Sequence, residues 1–103
     1  MEDILVRLDK ILEDRKSSNS KNSYIAALYE KGNNYICDKV IEEASELVEA
    51  TNESKNQIIH ESADLLFHVL VLLASHDIKY VRILEELESR FGTSGIEEKN
   101  NRK

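Results

Sequence analysis

One apolar run, ADLLFHVLVLLA at residues 63–74, restricts the fold of this chain more than any other segment. It is the most apolar stretch of the sequence, yet Asp64 and His68 lie inside it. Ionising a carboxylate in an apolar interior is costly unless another group compensates the charge. The fold must therefore bury this run and also supply a compensating group for Asp64.

The shortage of turn-forming residues indicates the fold class. The 103 residues include no proline and only three glycines, whereas Leu, Glu, Lys and Ala are prominent. Such a composition favours helices throughout the chain, and 41% hydrophobic residues are enough for a packed core. We therefore expect one all-α domain over residues 1–103, built as a four- to five-helix, bundle-like chain.

Apolar residues recur at helical spacing in five segments of the sequence. These segments are expected to form helices at about residues 2–15, 24–31, 34–50, 55–75 and 78–91. Polar breaks at 17–22 and 51–56 separate them. The polar tail at 92–103 is expected to become ordered only with a ligand or a partner.

Charge, cysteine content and the N-terminus argue against several classes of protein. The net charge of −6 disfavours a general nucleic-acid binder, which would usually be basic. Cys37 is the single cysteine and cannot form an internal disulfide, which fits a reducing cytoplasm. The acidic start MEDILVRLDK is not a signal peptide, and the run at 63–74 is too short to span a bilayer. We expect a cytoplasmic protein without a membrane or nucleic-acid partner.

Three glutamates lie at or beyond the edge of the apolar arc of the third helix. At about 100° per residue, that arc comprises Ile36, Cys37, Val40, Ala44, Leu47 and Val48. Glu43 lies about 20° from Ile36 by the same step. Glu46 lies beside Glu43 one turn on, and Glu42 lies further out. These acids adjoin the predicted core, whereas a solvated acidic face would point away from it.

The fourth helix carries a second acidic pair. Glu61 and Asp64 are three residues apart and share a face, while the rest of the helix is apolar nearly all round and is expected to be buried. A short turn between antiparallel helices would bring both pairs together, and four like charges repel strongly. Oxygen ligands at this spacing suit Mg²⁺ or Mn²⁺. We therefore predict a divalent-metal site formed by Glu43, Glu46, Glu61 and Asp64.

Simpler interpretations of the same residues remain open at this point. The acids can be surface residues, with Asp64 hydrogen-bonded or salt-bridged instead of bound to a metal ion. His68 can be a metal ligand or an acid–base group, but a hydrogen-bonded histidine within a helical bundle is the favoured interpretation. A di-iron bundle would need a Glu-x-x-His pair on each of two helices, and the sequence lacks these pairs.

The acidic motifs and their surroundings resemble a known enzyme family. EEASE at 42–46 and ESAD at 61–64 resemble the EExxE…ExxD signature of the all-α nucleotide pyrophosphohydrolases, the MazG-type superfamily. Four features narrow the resemblance to the phosphoribosyl-ATP pyrophosphohydrolases: SYIAALYEKG at 23–32, Lys39, ESADLLFHVLVLLA at 61–74 and RFGTSGIEEKNNR at 90–102. The chain departs from that family at Ile41, where glycine is frequent, and in SSNSKN, where proline is frequent.

This resemblance implies a reaction and a role for each acid. The substrate would be phosphoribosyl-ATP, and water would cleave it between the α- and β-phosphates to give phosphoribosyl-AMP and pyrophosphate, the second step of histidine biosynthesis. Mg²⁺ at the predicted metal site would neutralise developing charge and activate water. Glu42 would be a further ligand or would orient the attacking water. Glu43 is preferred to Glu42 as the metal ligand.

Basic residues are candidates for contacts with the substrate phosphates. Lys39 lies one turn before Glu43 and is expected to reach the same site, although an ion pair between these two residues explains it equally well. Arg90, Lys99 and Arg102 flank the glycine-containing tail and are the further candidates implied by the resemblance. The alternative for this segment is a frayed polar terminus.

The amount of apolar surface predicts an assembly. A small chain with one helix apolar on nearly all faces has more apolar surface than a lone bundle readily covers. We therefore expect a homodimer or a dimer of dimers, with the site near the interface.

Two rival functions fit parts of this pattern. A house-cleaning hydrolase of noncanonical nucleoside triphosphates would share the carboxylates and would differ in the pocket for base and ribose. A helical dimerisation or adaptor module without activity would tolerate removal of Glu46 or Asp64, or would gain stability from it.

Overall fold

Five α-helices make up most of residues 3–17 and 23–92, the parts of the chain that the computed structural model describes. They are α1 (Ile4–Asp14), α2 (Tyr24–Lys31), α3 (Asn33–Ala50), α4 (Lys55–Ser75) and α5 (Tyr80–Phe91). A 3₁₀ turn at Arg15–Ser17 follows α1. The described ranges contain no strand, which confirms the all-α class. Each helix begins and ends within two residues of the expected bounds.

Local sequence explains where several helices begin. Asp3, Ser23 and Ser54 precede α1, α2 and α4, and each side-chain oxygen accepts a hydrogen bond from a backbone N–H of the first turn. Such caps satisfy donors that a helix N-terminus leaves without a partner. Gly32 alone separates α2 from α3, with a φ of 96°. This left-handed conformation favours glycine, so the junction requires this residue.

The core lies where the first four helices meet. Its buried side chains are Leu12, Leu28, Ile36, Leu70, Val71 and Ala74. The turn at 51–54 reverses the chain, so α3 and α4 pack as an antiparallel pair with the most extensive contact between any two helices. Tyr29 on α2 donates a hydrogen bond from its hydroxyl to the carbonyl oxygen of Leu12 at 2.9 Å. This bond fixes α2 against α1.

Helix α4 is long and apolar enough to cross a membrane by length and composition. The expectation that this segment is too short considered only residues 63–74, and it is wrong for the complete helix of 21 residues. A core helix of a globular domain meets the same two criteria. In this structure α4 buries Glu61 and His68 and packs along α3, and 28% of its most apolar window is buried.

The single chain leaves two apolar faces exposed, in line with the predicted excess of apolar surface. Ile59 and Leu66 on α4 are 66% and 51% exposed, although this helix was expected to be buried. Val48, which the helical wheel placed in the apolar arc of α3, is 68% exposed, and Ile41 is 65% exposed. A helical wheel identifies an apolar face but cannot show whether the same chain covers it.

The position of the core can be tested with two matched substitutions. Ile36→Ala is expected to lower the free energy of unfolding by about 3 kcal/mol, because this side chain is 1% exposed. Ile4→Ala deletes the same atoms from a side chain that is 49% exposed, and the expected loss is below about 1 kcal/mol. Urea denaturation followed by circular dichroism measures both, and equal losses would contradict this placement.

Candidate active site

Two clusters of metal-ligating side chains lie on the antiparallel pair of helices. The α3 cluster consists of Glu42, Glu43 and Glu46, and the α4 cluster consists of His60, Glu61 and Asp64. Within each cluster, one ligand atom from every residue lies within 4.8 Å of the others. Spacings of one helical turn produce this grouping, because residues three or four apart are neighbours on a helix surface.

The two clusters share one electrostatic environment. The pKa of Glu46 is raised, first by the negative charge of Glu43 and then by partial desolvation and the charge of Glu61. Because Glu61 lies on the opposite helix, its effect on Glu46 reflects the approach of α4 to α3. The charge of Glu61 therefore reaches Glu46 across the two helices. Asp64 lies one turn beyond Glu61 on the same helix.

Two carboxylates of these clusters are buried, one on each helix. Glu43 is 7% exposed and Glu61 is 9% exposed. Oε2 of Glu61 accepts a hydrogen bond from Nε2 of Gln57 at 2.8 Å. Oε1 of Glu61 is buried and has no hydrogen-bond partner among the described residues. A buried carboxylate oxygen without a partner is costly, and its chemistry fits a hard divalent cation.

Asp64 is less enclosed than its apolar surroundings in the sequence suggest. Its side chain is 44% exposed, and its Oδ2 lies 3.4 Å from Nε2 of His60. Partial burial was expected, and the neighbouring group that the structure shows is this histidine. The sequence drew attention to Asp64, whereas the buried oxygen without a partner belongs to Glu61.

Lys39 is paired with the α3 cluster. Its Nζ donates a hydrogen bond to Oε1 of Glu42 at 2.7 Å and lies 3.8 Å from Oε2 of Glu43. The bond to Glu42 is the main reason that the pKa of Lys39 is raised. Glu42 is exposed and engaged by this lysine, whereas Glu43 is buried. This difference supports the choice of Glu43 over Glu42 as the inner ligand.

His68 is fixed by hydrogen bonds on both sides of its ring. It is 5% exposed. Its Nδ1 lies 2.8 Å from the carbonyl oxygen of Asp64 and must donate, because a carbonyl only accepts. Nε2 of the neutral ring then accepts the hydroxyl proton of Tyr24 at 2.9 Å. The favoured interpretation of His68 as a hydrogen-bonded bundle histidine is confirmed.

Tyr24 makes a hydrogen bond to His68 as well as an aromatic packing contact. Its ring stacks on Phe67 at a centroid distance of 6.3 Å, yet the residue is 54% exposed. Desolvation raises the pKa of its phenol, while the positive charge of Lys39 lowers it. The charges of Glu43 and Glu42 also raise this pKa, less strongly than desolvation does. Sequence reasoning missed this because the contact depends on how α2 docks on α4.

The remaining candidates for phosphate contacts are Arg90, Lys99 and Arg102. Arg90 lies on α5, where its Nε donates to Oε2 of Glu86 at 2.9 Å. Lys99 and Arg102 lie outside the described residues, so their predicted contacts stay predictions. Of the four basic residues proposed from the sequence, Lys39 is the one that the described structure places beside the carboxylates.

Comparison with known proteins gives one consistent family. The family model described as phosphoribosyl-ATP pyrophosphohydrolase matches residues 5–91. A phosphoribosyl-ATP pyrophosphatase of Vesicomyosocius okutanii subsp. Calyptogena okutanii is 48% identical over 103 residues, covering 99% of this chain and 98% of the relative. The proteins of the same name from Ruthia magnifica subsp. Calyptogena magnifica and Hydrogenovibrio crunogenus are 48% and 47% identical, and at least 93% of each relative is covered.

The repulsion between the clusters can be measured in the presence of a chelator. Glu61→Gln is expected to bring the raised pKa of Glu46 closer to its ordinary value, because one of the negative charges acting on it is removed. A carboxyl group whose pKa is raised by folding disfavours the folded state above that pKa, and this effect disappears as the pH falls below the unfolded pKa. Glu61→Gln should therefore be more stable than the wild type above that pKa. Part of this difference in stability should disappear on acidification.

Side-chain carbon NMR titration of Glu46 in both proteins measures the pKa directly. Glu53→Gln, in the exposed turn after α3, serves as the control and should leave the pKa of Glu46 unchanged. An unchanged pKa in Glu61→Gln would show that the two helices do not bring these carboxylates together.

Proposed function

This chain belongs to the phosphoribosyl-ATP pyrophosphohydrolase family, and we propose that it hydrolyses phosphoribosyl-ATP to phosphoribosyl-AMP and pyrophosphate. It is an enzyme of the hydrolase class, and this reaction is the second step of histidine biosynthesis. The structural observation that supports the reaction best is the approach of Glu43, Glu46 and Glu61 from two helices. We also propose that the enzyme works in the cytoplasm.

A divalent cation, Mg²⁺ or Mn²⁺, is part of this proposal. The acids that would hold it are Glu43, Glu46, Glu61 and Asp64. The fit rests on the buried Oε1 of Glu61, which has no partner among the described residues, and on the all-oxygen donors of these four side chains. When bound, the ion would supply charge neutralisation for the triphosphate and lower the pKa of a water molecule.

Lys39 would exchange its carboxylate partner for substrate phosphate. Its ammonium group is held beside Glu42 and Glu43, and a triphosphate offers a denser negative charge than Glu42 does. Once Lys39 turns to phosphate, the exposed carboxylate of Glu42 becomes available to accept a hydrogen bond from the attacking water. Glu42 then orients the water, while the buried Glu43 remains with the metal ligands.

The acidic surface also contributes to selectivity. Without a cation, the negative clusters repel a triphosphate. Binding of the substrate therefore depends on binding of the ion, and binding of the ion is in turn favoured by the substrate. The exposed ring of Tyr24, fixed by Phe67 and His68, borders the same site and limits where the nucleoside portion can lie.

The reaction is tested by pyrophosphate release from phosphoribosyl-ATP with Mg²⁺ and with chelator. Release is expected in the presence of Mg²⁺ and not in the presence of chelator. Glu46→Gln is expected to lower kcat/KM by at least about 100-fold, because it removes a charged ligand. Glu53→Gln, an exposed neutralisation of the same size outside the clusters, should have little effect.

A panel of ordinary and damaged nucleoside triphosphates in the same assay separates the rival functions. Release from the panel but not from phosphoribosyl-ATP would indicate the house-cleaning branch of the superfamily. A folded protein that releases pyrophosphate from none of these compounds would favour a dimerisation or adaptor module.

We further propose that the chain forms a homodimer through the exposed apolar face of α3 and α4. Val40, Ile41, Ala44 and Val48 line an open cleft along α3. Ile59 and Leu66 add exposed apolar surface on the partner helix of the pair. A two-fold symmetric dimer is the commonest way to cover such a face, and it would place the acidic clusters close to the interface. Two such dimers can in turn associate.

The dimer is tested by analytical ultracentrifugation. The wild type is expected to sediment as a dimer or as a dimer of dimers. Val48→Glu should shift the protein to smaller species, because it places a charge in the apolar face. Ile4→Glu, at an isoleucine on α1 that is 49% exposed, should leave the mass unchanged. A monomeric wild type at micromolar concentration would contradict the proposal.

A further inference from the structure

The α4 cluster contains a nitrogen donor that the acidic motifs do not include. His60 directly precedes the ESAD motif and lies one turn before Asp64. Its side chain is 66% exposed, and its Nε2 lies 3.4 Å from Oδ2 of Asp64. An imidazole nitrogen therefore faces one of the carboxylates proposed to bind metal.

The geometry of this cluster is compatible with one shared ion. Ligand atoms of His60, Glu61 and Asp64 lie within 4.8 Å of one another. Donors around a single first-row metal are separated by about 3 to 4 Å when each is about 2.1 Å from it. Glu61 is 9% exposed, and its buried Oε1 has no partner among the described residues. This oxygen is the independent sign that the cluster accommodates a cation.

The other two histidines do not provide a nitrogen at this place. Both ring nitrogens of His68 are engaged, one with the carbonyl oxygen of Asp64 and one with Tyr24. His76 follows the end of α4, and its Nε2 lies 2.7 Å from Oδ1 of Asn33. Since the sequence has three histidines, the nitrogen donor beside the carboxylates is His60.

We propose that His60 is a ligand of the metal ion and gives the site a preference for Mn²⁺ over Mg²⁺. This inference rests on the proposed function, because it concerns the same carboxylates. Mg²⁺ favours oxygen ligands and retains much of its water, whereas imidazole suits transition metals, and the affinity of nitrogen-containing sites rises along the first row from Mn²⁺. A mixed set of one imidazole and several carboxylates therefore selects a transition-metal dication.

The test detects the nitrogen ligand directly and does not depend on catalysis. Mn²⁺ is titrated into the full chain, and pulsed EPR of the bound ion is examined for ¹⁴N modulation from a coordinated imidazole. The wild type should show this modulation, and His60→Gln should lose it. Calorimetry should show that the substitution weakens Mn²⁺ binding about tenfold and changes Mg²⁺ binding much less.

His76→Gln is the matched control, because His76 is an exposed histidine near the opposite end of the same helix. It should retain both the ¹⁴N modulation and the Mn²⁺ affinity. Bound Mn²⁺ without ¹⁴N modulation in the wild type would overturn the assignment of His60 and leave the carboxylate site intact. The absence of Mn²⁺ binding would also overturn the assignment of His60. Pyrophosphate release by the wild type would then show separately whether the proposed reaction is correct.

Discussion

The antiparallel packing of α3 on α4 is the constraint on which the rest of the structure depends. Ile36 on α3 and Val71 on α4 are buried in the core, and the same packing brings Glu61 into range of the charge on Glu46. Like charges at short range raise carboxyl pKa values and oppose folding. The proposed divalent cation would relieve this repulsion in the folded state.

The surrounding residues hold this unfavourable arrangement in place. His68 ties the backbone of α4 to Tyr24 at the start of α2, through bonds of 2.8 and 2.9 Å on its two ring nitrogens. The aromatic contacts of Phe67 with both rings add to the same junction. Lys39 partly offsets the charge of the α3 cluster. These contacts suit a site that must accept a highly charged substrate.

Much of the helical architecture was predictable because it depends on local sequence. Helical periodicity gave the bounds of all five helices, since capping residues such as Ser23 and Ser54 and the break at Gly32 act within one turn. The acidic pairs were predictable for the same reason, because a spacing of three fixes a shared face. The helical wheel placed Glu43 nearest the core, and it is buried, whereas the burial of Glu61 was not predictable because it depends on the neighbouring helix.

Features that depend on tertiary docking were missed. The contact between Tyr24 and His68 joins residues 44 positions apart, so no local sequence pattern predicts it. Val48 seemed to be a core residue because its face is apolar, but the single chain leaves it exposed. The acidic motifs do not include His60, whose Nε2 lies 3.4 Å from Oδ2 of Asp64 in the folded chain.

The effect of divalent ions on thermal stability tests most directly whether the two clusters form one metal site. An ion that binds the folded state alone raises the melting temperature. Mg²⁺ or Mn²⁺ should therefore raise the Tm of the wild type relative to chelator, while Asp64→Asn should abolish most of this increase. Equal increases in the wild type and the variant would contradict a metal site that includes Asp64.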